Sequence, residues 1–462
     1  MKTTELLPTK SNILSTINEN ILNRNDQVYF FASILNAIEG PYTIALNAKW
    51  GEGKTFFVKQ VKALIDCCNP FNTEYDESEA DNIIQAISNS VGEDNRLKSF
   101  MPQMTVYYDA WICDNDNDPI CSLIYEIIRE TGTCYNIKKD ASFSDLLKVG
   151  ASIADGLFNR NITGIINSID DLRKANDPLE EIKGQKSLQE KVAEFFEMLP
   201  IEKGNRLVIF VDELDRCKPD FAVRFLERIK HYFSNEKVTF VFSINKAELC
   251  HTINCFYGEE FDSSKYLTRF FDYVIDLPQG NYERYQQKIG LHNSIHVFDN
   301  IQITTAKHFQ FSLRDLAKYV EECKVAASKP AYQISYISRG IQWAWLTFVP
   351  IMIGIRIHSS RMYEAFIAGK DGSPFFEIME NCESEGSILK CLLNRGEVYG
   401  EGEDAKIIKR REKLEEVYNT VFVDSDKESF RDKMIGEIEF SKSTKDQILK
   451  VISSLSLHAS VE

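Results

Sequence analysis

The chain has 462 residues, of which 44% are hydrophobic and 27% charged. That describes two or three ordinary globular domains and not a disordered polymer. Lys plus Arg total 54 and Asp plus Glu total 69, a formal net charge of −15, which excludes a globally basic protein that wraps duplex nucleic acid.

The opening MKTTELLPTKSNIL has no apolar stretch after its lysines, so no leader is expected. Eleven cysteines are spread thinly, which argues against a disulfide framework and for a reduced, cytoplasmic setting. Residues 1–40 read as a helical lead-in, with Val28, Phe31, Ile34, Leu35 and Ile38 at helical spacing. YTIALN (42–47) reads as a strand and FFVKQVKALI, after AKWGEGKT, as a helix. Residues 69–100 are acidic and turn-rich, which suggests an exposed insertion. MTVYYDAW (104–111) reads as a strand, and DPICSLIYEIIRE (118–130) as a helix with Pro119 in its first turn.

A long polar and amphipathic region, about 135–195, follows as an insertion. Near its end Ser187 and Glu190 have capping-box spacing for a helix reaching Leu199. RLVIFVDE (206–213) and KVTFVFSIN (237–245) read as buried parallel strands, with DYVIDLP (272–278) as one more. Between the first two, PDFAVRFLERIKHYF places Phe221, Phe225, Leu226, Ile229 and Phe233 on one helix face. Alternating strands and helices over 41–280 predict an α/β fold with a doubly wound parallel sheet. Residues 281–330 read as a helical lid and 331–462 as a mainly helical partner-interaction region, with strongly charged helices or loops over 382–416 and 423–448. The longest apolar run, Trp343 to Ile355, contains Pro350 and Gly354. It is shorter than the roughly 20 residues that span a bilayer and reads as a buried helix or strand pair.

The most informative residues are Ala48-Lys49-Trp50-Gly51-Glu52-Gly53-Lys54-Thr55, followed by Phe56. The phosphate-binding loop pattern is G-x-x-x-x-G-K-[ST] between a strand and a helix. Glycines let backbone N–H groups turn inward as an anion nest, and the helix N-terminus adds positive potential. Trp50 through Phe56 would surround the nucleotide phosphates, with Lys54 on the β- and γ-phosphates and the Thr55 hydroxyl on Mg²⁺. Ala48 stands where the first glycine is expected, and alanine resists positive φ.

Val208, Ile209, Phe210 and Val211 run into Asp212 and Glu213. The strand's C-terminal end is where ligands sit in open α/β sheets. Asp212 is the candidate Mg²⁺ partner, direct or through water, and Glu213 the candidate for orienting and deprotonating the attacking water. Strand 237–245 ends in Ser243 and Asn245, of which Asn245 is the candidate for contact with the γ-phosphate or the water.

AKWGEGKT, YDAW (108–111) with DNDP (116–119), VDELDRCKP (211–219) and YLTRFFDYVIDLP (266–278) occur in this order. Together they resemble the KAP family of P-loop NTPases over roughly residues 10–325. The resemblance implies the additional-strand, catalytic-Glu type of P-loop fold, with ATP and Mg²⁺ as ligands. It also implies Mg²⁺ at Thr55 and Asp212, phosphates at Lys54, and Glu213 or Asp215 activating water. Asp109 departs from the family's usual Asn before Ala-Trp. Many members carry transmembrane helices between the two nucleotide motifs; here Asp155, Asn159, Arg160 and Asn161 interrupt that region, so no span is expected. Family members tied to exclusion of bacteriophage make anti-phage defence, with a separately encoded effector, the implied setting.

Phosphoryl transfer often uses an arginine, and Arg216, Arg269 and Arg314 are candidates; if one acts on a neighbouring subunit, hydrolysis requires self-assembly into a homo-oligomer, the expected state. Cys250, His251 and Cys255 lack a second ligand pair at zinc spacing. The Asp114–Asp118 run lacks the glycine and terminal Glu of a calcium loop. KIIKRREK (406–413) is followed by Glu415 and Glu416 and reads as a solvated helix face, so nucleic acid is not an expected partner. The expected activity is Mg²⁺-dependent ATP hydrolysis used as a switch or assembly platform. The alternatives are a non-hydrolysing ATP-binding scaffold and a small-molecule phosphotransferase.

Overall fold

The structure is a computed structural model. It describes residues 7–92, 97–135, 145–154, 190–199, 203–232, 235–278, 282–291, 296–328, 338–382, 391–392, 403–425 and 431–458. The chain divides into a unit ending at Tyr282 and a second beginning at Glu283.

Five parallel strands organise the first unit: β1 Tyr42–Asn47, β2 Met104–Asp109, β3 Leu207–Asp212, β4 Val238–Ile244 and β5 Tyr273–Asp276. Their order is β2-β3-β4-β1-β5, so β4 separates the phosphate-loop strand from the acidic strand. This is the additional-strand arrangement. The register aligns Asp109 with Asp212, Asp212 with Ser243, and Ser243 with Leu46. All five C-terminal ends therefore meet along one edge.

Two apolar layers cover the sheet, and the alternation of side chains along each strand decides which layer a residue joins. Ile44, Leu46, Val208, Phe210 and Val241 face the helices Lys10–Asn18, Asn25–Ala37, Lys54–Cys68 and Glu77–Val91. Ala45, Ile209, Val211, Phe240 and Phe242 face Pro119–Cys134, Pro219–Tyr232 and Lys246–Tyr257. Phe221, Phe225, Leu226 and Ile229 are buried as their spacing requires, while Phe233 lies outside the described residues. Asp118 caps Pro119–Cys134, with Pro119 in the first turn where its missing N–H costs nothing.

The expectation of an exposed insertion over 69–100 is corrected. Asp76 and Glu79 form a capping box that starts the helix Glu77–Val91, and Ile83 and Ile87 are fully buried. The acids mark a helix start and not a loop. In the region expected as an insertion, helices at 145–154 and 190–197 put Leu146, Ile153, Val192, Phe195 and Phe196 into the core. Residues 155–189, with Asp155, Asn159, Arg160, Asn161 and Ser187, lie outside the described residues.

The second unit is built around Arg339–His358, which packs against Val297–Phe309, Leu313–Ser328 and Ser443–His458. Trp343, Phe348, Ile351, Met352, Ile353 and Ile355 are buried in this helix, so the longest apolar run is its core. Among the described residues this is the one helix long and apolar enough to cross a membrane, and most of it is buried inside the protein. Gly340 permits close approach: a Cβ there would lie 2.0 Å from the Glu439 carbonyl oxygen. That carbonyl belongs to an unexpected hairpin, β6 Lys433–Ile435 and β7 Ile438–Phe440, within the segment read as charged helix or loop. Gly436, at φ 59°, makes the turn. Three-residue strands are too short to show alternation above the surrounding charge.

Candidate nucleotide site

At the end of β1 the chain turns through Ala48–Gly53 into the helix Lys54–Cys68. Gly51 and Gly53 both take φ 83°, the left-handed region that favours glycine. Ala48 does not: its φ is negative, and its N–H donates to the Ile244 carbonyl at 3.1 Å, continuing the β1–β4 ladder. The position expected to need glycine thus avoids the left-handed region, and alanine is tolerated there. Lys54, buried at the first helical position, donates from Nζ to the Ala48 carbonyl at 2.7 Å and the Lys49 carbonyl at 3.3 Å. The ammonium thus lies against the arch of the loop. Burial lowers its pKa, against the opposing pull of Asp215, Asp212 and Glu213.

One strand beyond β4, the acidic segment leaves β3. Asp212 is fully buried, and both its oxygens are engaged. Oδ1 accepts the Glu213 N–H at 3.0 Å, and Oδ2 accepts the Tyr107 hydroxyl at 2.9 Å. Lys59 stands 4.4 Å from the Tyr107 ring centre. Glu213 takes φ 62°, a left-handed turn rare outside glycine, and opens the 3₁₀ turn Leu214–Arg216. Its carboxylate pairs with Arg216 Nε at 2.5 Å. Burial pushes the Glu213 carboxyl up to about 7, the Asp212 charge pushes the same way, and Arg216 opposes both. A carboxyl that titrates near neutrality at a ligand edge is suited to proton transfer there.

Two tryptophans frame this segment. Trp50 Nε1 donates to Asp215 Oδ2 at 2.6 Å, tying the phosphate loop to the turn after β3. The Arg216 guanidinium lies 5.7 Å from the Trp50 ring and 5.6 Å from the Trp111 ring. Asp215, 4% exposed, accepts this indole N–H on Oδ2, while its Oδ1 is buried with no hydrogen-bond partner. Asp109 Oδ1 accepts the N–H groups of Trp111 and Ile112 at 3.1 and 3.2 Å. An Asn side-chain oxygen would do the same, so the departure from the family's Asn preserves the turn. The Asp114–Asp118 loop is structural: Asp116 accepts the Ser122 hydroxyl at 2.6 Å and Asp118 pairs with Arg228 at 3.3 Å.

At the end of β4, Asn245 precedes Lys246–Tyr257 and makes no side-chain cap hydrogen bond. Ser243 is fully buried and its Oγ has no hydrogen-bond partner, at the register position between Asp212 and Leu46. It is as well placed as Asn245 for a ligand at this edge. Arg269 is exposed and lies four residues before β5, hence at the opposite edge of the parallel sheet. The fold does not bring it to its own phosphate loop. Arg314 is exposed on the first turn of Leu313–Ser328, in the second unit.

The donor set suits Mg²⁺ as P-loop proteins hold it. Among the described residues no group of three or more His, Cys, Asp or Glu side chains could hold a metal ion by itself. Mg²⁺ needs no such cage, because it keeps waters and shares phosphate oxygens. The Thr55 hydroxyl and the Asp212 carboxylate are the residues that would hold it. Tyr107, Arg24 and Tyr282 were not singled out in the sequence; Tyr107 had a signal, its inward place in a strand ending beside the acidic one.

The sheet order, the glycine turn on Lys54 and the acidic end of the strand beyond β4 define a P-loop nucleoside triphosphatase of the additional-strand class. The profile of the KAP family P-loop domain matches residues 24–330, and the chain belongs to that family. No curated protein matches the chain.

Proposed function

We propose that the protein hydrolyses ATP with Mg²⁺ and uses the cycle as a switch or assembly platform. The observation that carries this reading is the pairing of the Lys54 loop on β1 with Glu213 on β3, one strand apart along the ligand edge. Lys54 and the inward N–H groups of Gly51 to Thr55 neutralise the phosphates. Thr55 and Asp212 would hold Mg²⁺, which would supply charge stabilisation to the phosphates. Glu213 orients a water in line with the γ-phosphate and accepts its proton. In the resting pair Arg216 holds Oε2 of Glu213, and a guanidinium released from it can meet charge developing on the γ-phosphate. Adenine as the base rests on the family.

The same Glu213–Arg216 pair favours one second reading, a protein that binds nucleotide and hydrolyses it only after a partner displaces Arg216. As the setting we infer a cytoplasmic homo-oligomer working with a separate effector in anti-phage defence, with Arg216 and Arg314 as the candidates for action between subunits. Phosphate release and particle mass, read on one purified sample with Mg²⁺ and ATP, test the proposal. Free phosphate with a rise in mass supports a hydrolysing assembly platform. No nucleotide binding by the intact chain, alone or with cell extract added, rejects both readings.

A further inference from the structure

An anion nest works only if its N–H groups point inward, so its carbonyls must point outward and find partners there. In this loop the outward carbonyl of Glu52 accepts from Arg24 Nη1 at 2.9 Å. Arg24 is 1% exposed and precedes the helix Asn25–Ala37. Its Nη2 reaches the Pro278 carbonyl and the Tyr282 hydroxyl, both at 3.1 Å. Tyr282 in turn donates to Glu52 Oε2 at 3.0 Å. The Arg24 backbone N–H is fixed by Asn20 Oδ1 at 3.0 Å, and the guanidinium lies 5.7 Å from the Tyr282 ring centre.

Glu52, flanked by Gly51 and Gly53, is thereby gripped twice, by its carbonyl and by its carboxylate. Both grips come from outside the nest. Burying a guanidinium is costly unless it is paired and hydrogen-bonded. Here the guanidinium is compensated by the Glu52 and Pro278 carbonyls and the Tyr282 hydroxyl, with the nearby Glu52 charge adding to them, so the loop's shape and the arginine's burial depend on each other.

We propose that Arg24 and Tyr282 are positioning residues that hold Glu52 so that the phosphate loop keeps its nest geometry. They touch no reacting atom. The inference rests on the nucleotide-site reading for its consequence in affinity, but the loop geometry can be tested without nucleotide.

The experiment uses the full chain as wild type, Arg24→Lys, Tyr282→Phe and the double variant. Amide hydrogen exchange is followed without metal or nucleotide, in peptides covering 48–56 and, as reference, 104–109. Loss of one such bond is expected to raise exchange in the loop about fivefold while 104–109 is unchanged, because the opening is local. The apparent Kd for Mg·ATP is expected to rise about tenfold in each single variant, with the two changes not adding because both act through Glu52. A residue that merely stabilised the fold would move exchange in both peptides together, or in neither. Unchanged loop exchange in folded variants overturns the proposal, as does an equal rise in both peptides. If Arg24→Lys does not fold, Tyr282→Phe, which removes one half-buried hydroxyl, decides alone. Wild-type protein that binds no nucleotide would instead count against the nucleotide reading, and the exchange comparison would still decide this one.

Discussion

Trp50 Nε1 and Asp215 Oδ2 are 2.6 Å apart, and this one bond joins the phosphate loop on β1 to the turn that follows β3. The two segments are separated in the sheet by β4, so no backbone ladder joins them directly. The indole adds a direct side-chain link between the phosphate-binding and acidic halves of the site, beside the Arg216–Trp50 contact.

Trp50→Phe keeps an aromatic ring against Arg216 but removes the N–H. It leaves Asp215, already pushed upward by burial, without that donor. The unfolding free energy is expected to fall by about 1–3 kcal/mol, the cost of one unsatisfied buried polar group. Urea denaturation measures this, and an unchanged midpoint would show that the bond does not hold the two halves.

Tyr107→Phe removes the hydroxyl that donates to Asp212 Oδ2 while keeping the ring beside Lys59. The freed carboxylate can rotate, and supporting contacts of this kind typically contribute about 10–100-fold to metal affinity. The concentration of Mg²⁺ that half-saturates tight nucleotide binding is expected to rise within that range. Nucleotide affinity without metal is expected to stay the same, and titrating Mg²⁺ against a fluorescent ATP analogue separates the two.

Glu213 gives a pH dependence whose sign follows from burial. Its folded pKa is raised from the ordinary carboxyl value to about 7, so the neutral form is favoured in the folded protein. Its contribution to stability is complete below the unfolded pKa and lost as pH rises through about 7. Glu213→Gln has no charge to lose. In EDTA the variant is expected to melt above wild type at pH 8, with the gap closing as pH falls toward 5. A gap that widens on acidification would contradict this reading of the carboxyl.

Much of the first unit was legible because its signals are strong and local. Near-continuous apolar runs at 207–212 and 238–244, short and rich in β-branched and aromatic residues, read as buried strands, and Lys54 follows a glycine pair after a third. What was not legible is what the fold assembles from a distance. Arg24 and Glu52 are brought together by packing of the Asn25–Ala37 helix and not by any spacing. Arg269 read as a candidate because it precedes a strand, yet a parallel sheet sends a strand's beginning to the edge away from the ligands. Asn245 drew attention ahead of Ser243 because it ends its strand, while the buried hydroxyl at the register of Asp212 needs the sheet order to be seen. The acids at 74–79 read as surface although two of them start a helix whose isoleucines are in the core.

The most direct measurement is Mg²⁺-dependent phosphate release from ATP by wild type and Glu213→Gln, with bound nucleotide counted on the same samples. The variant is expected to retain nucleotide and to lose turnover by about 10²–10⁴, the usual contribution of a positioned general base. Equal turnover in wild type and variant would remove Glu213 from the reaction, and with it the pairing of the β1 loop and the β3 carboxylate as the hydrolytic site.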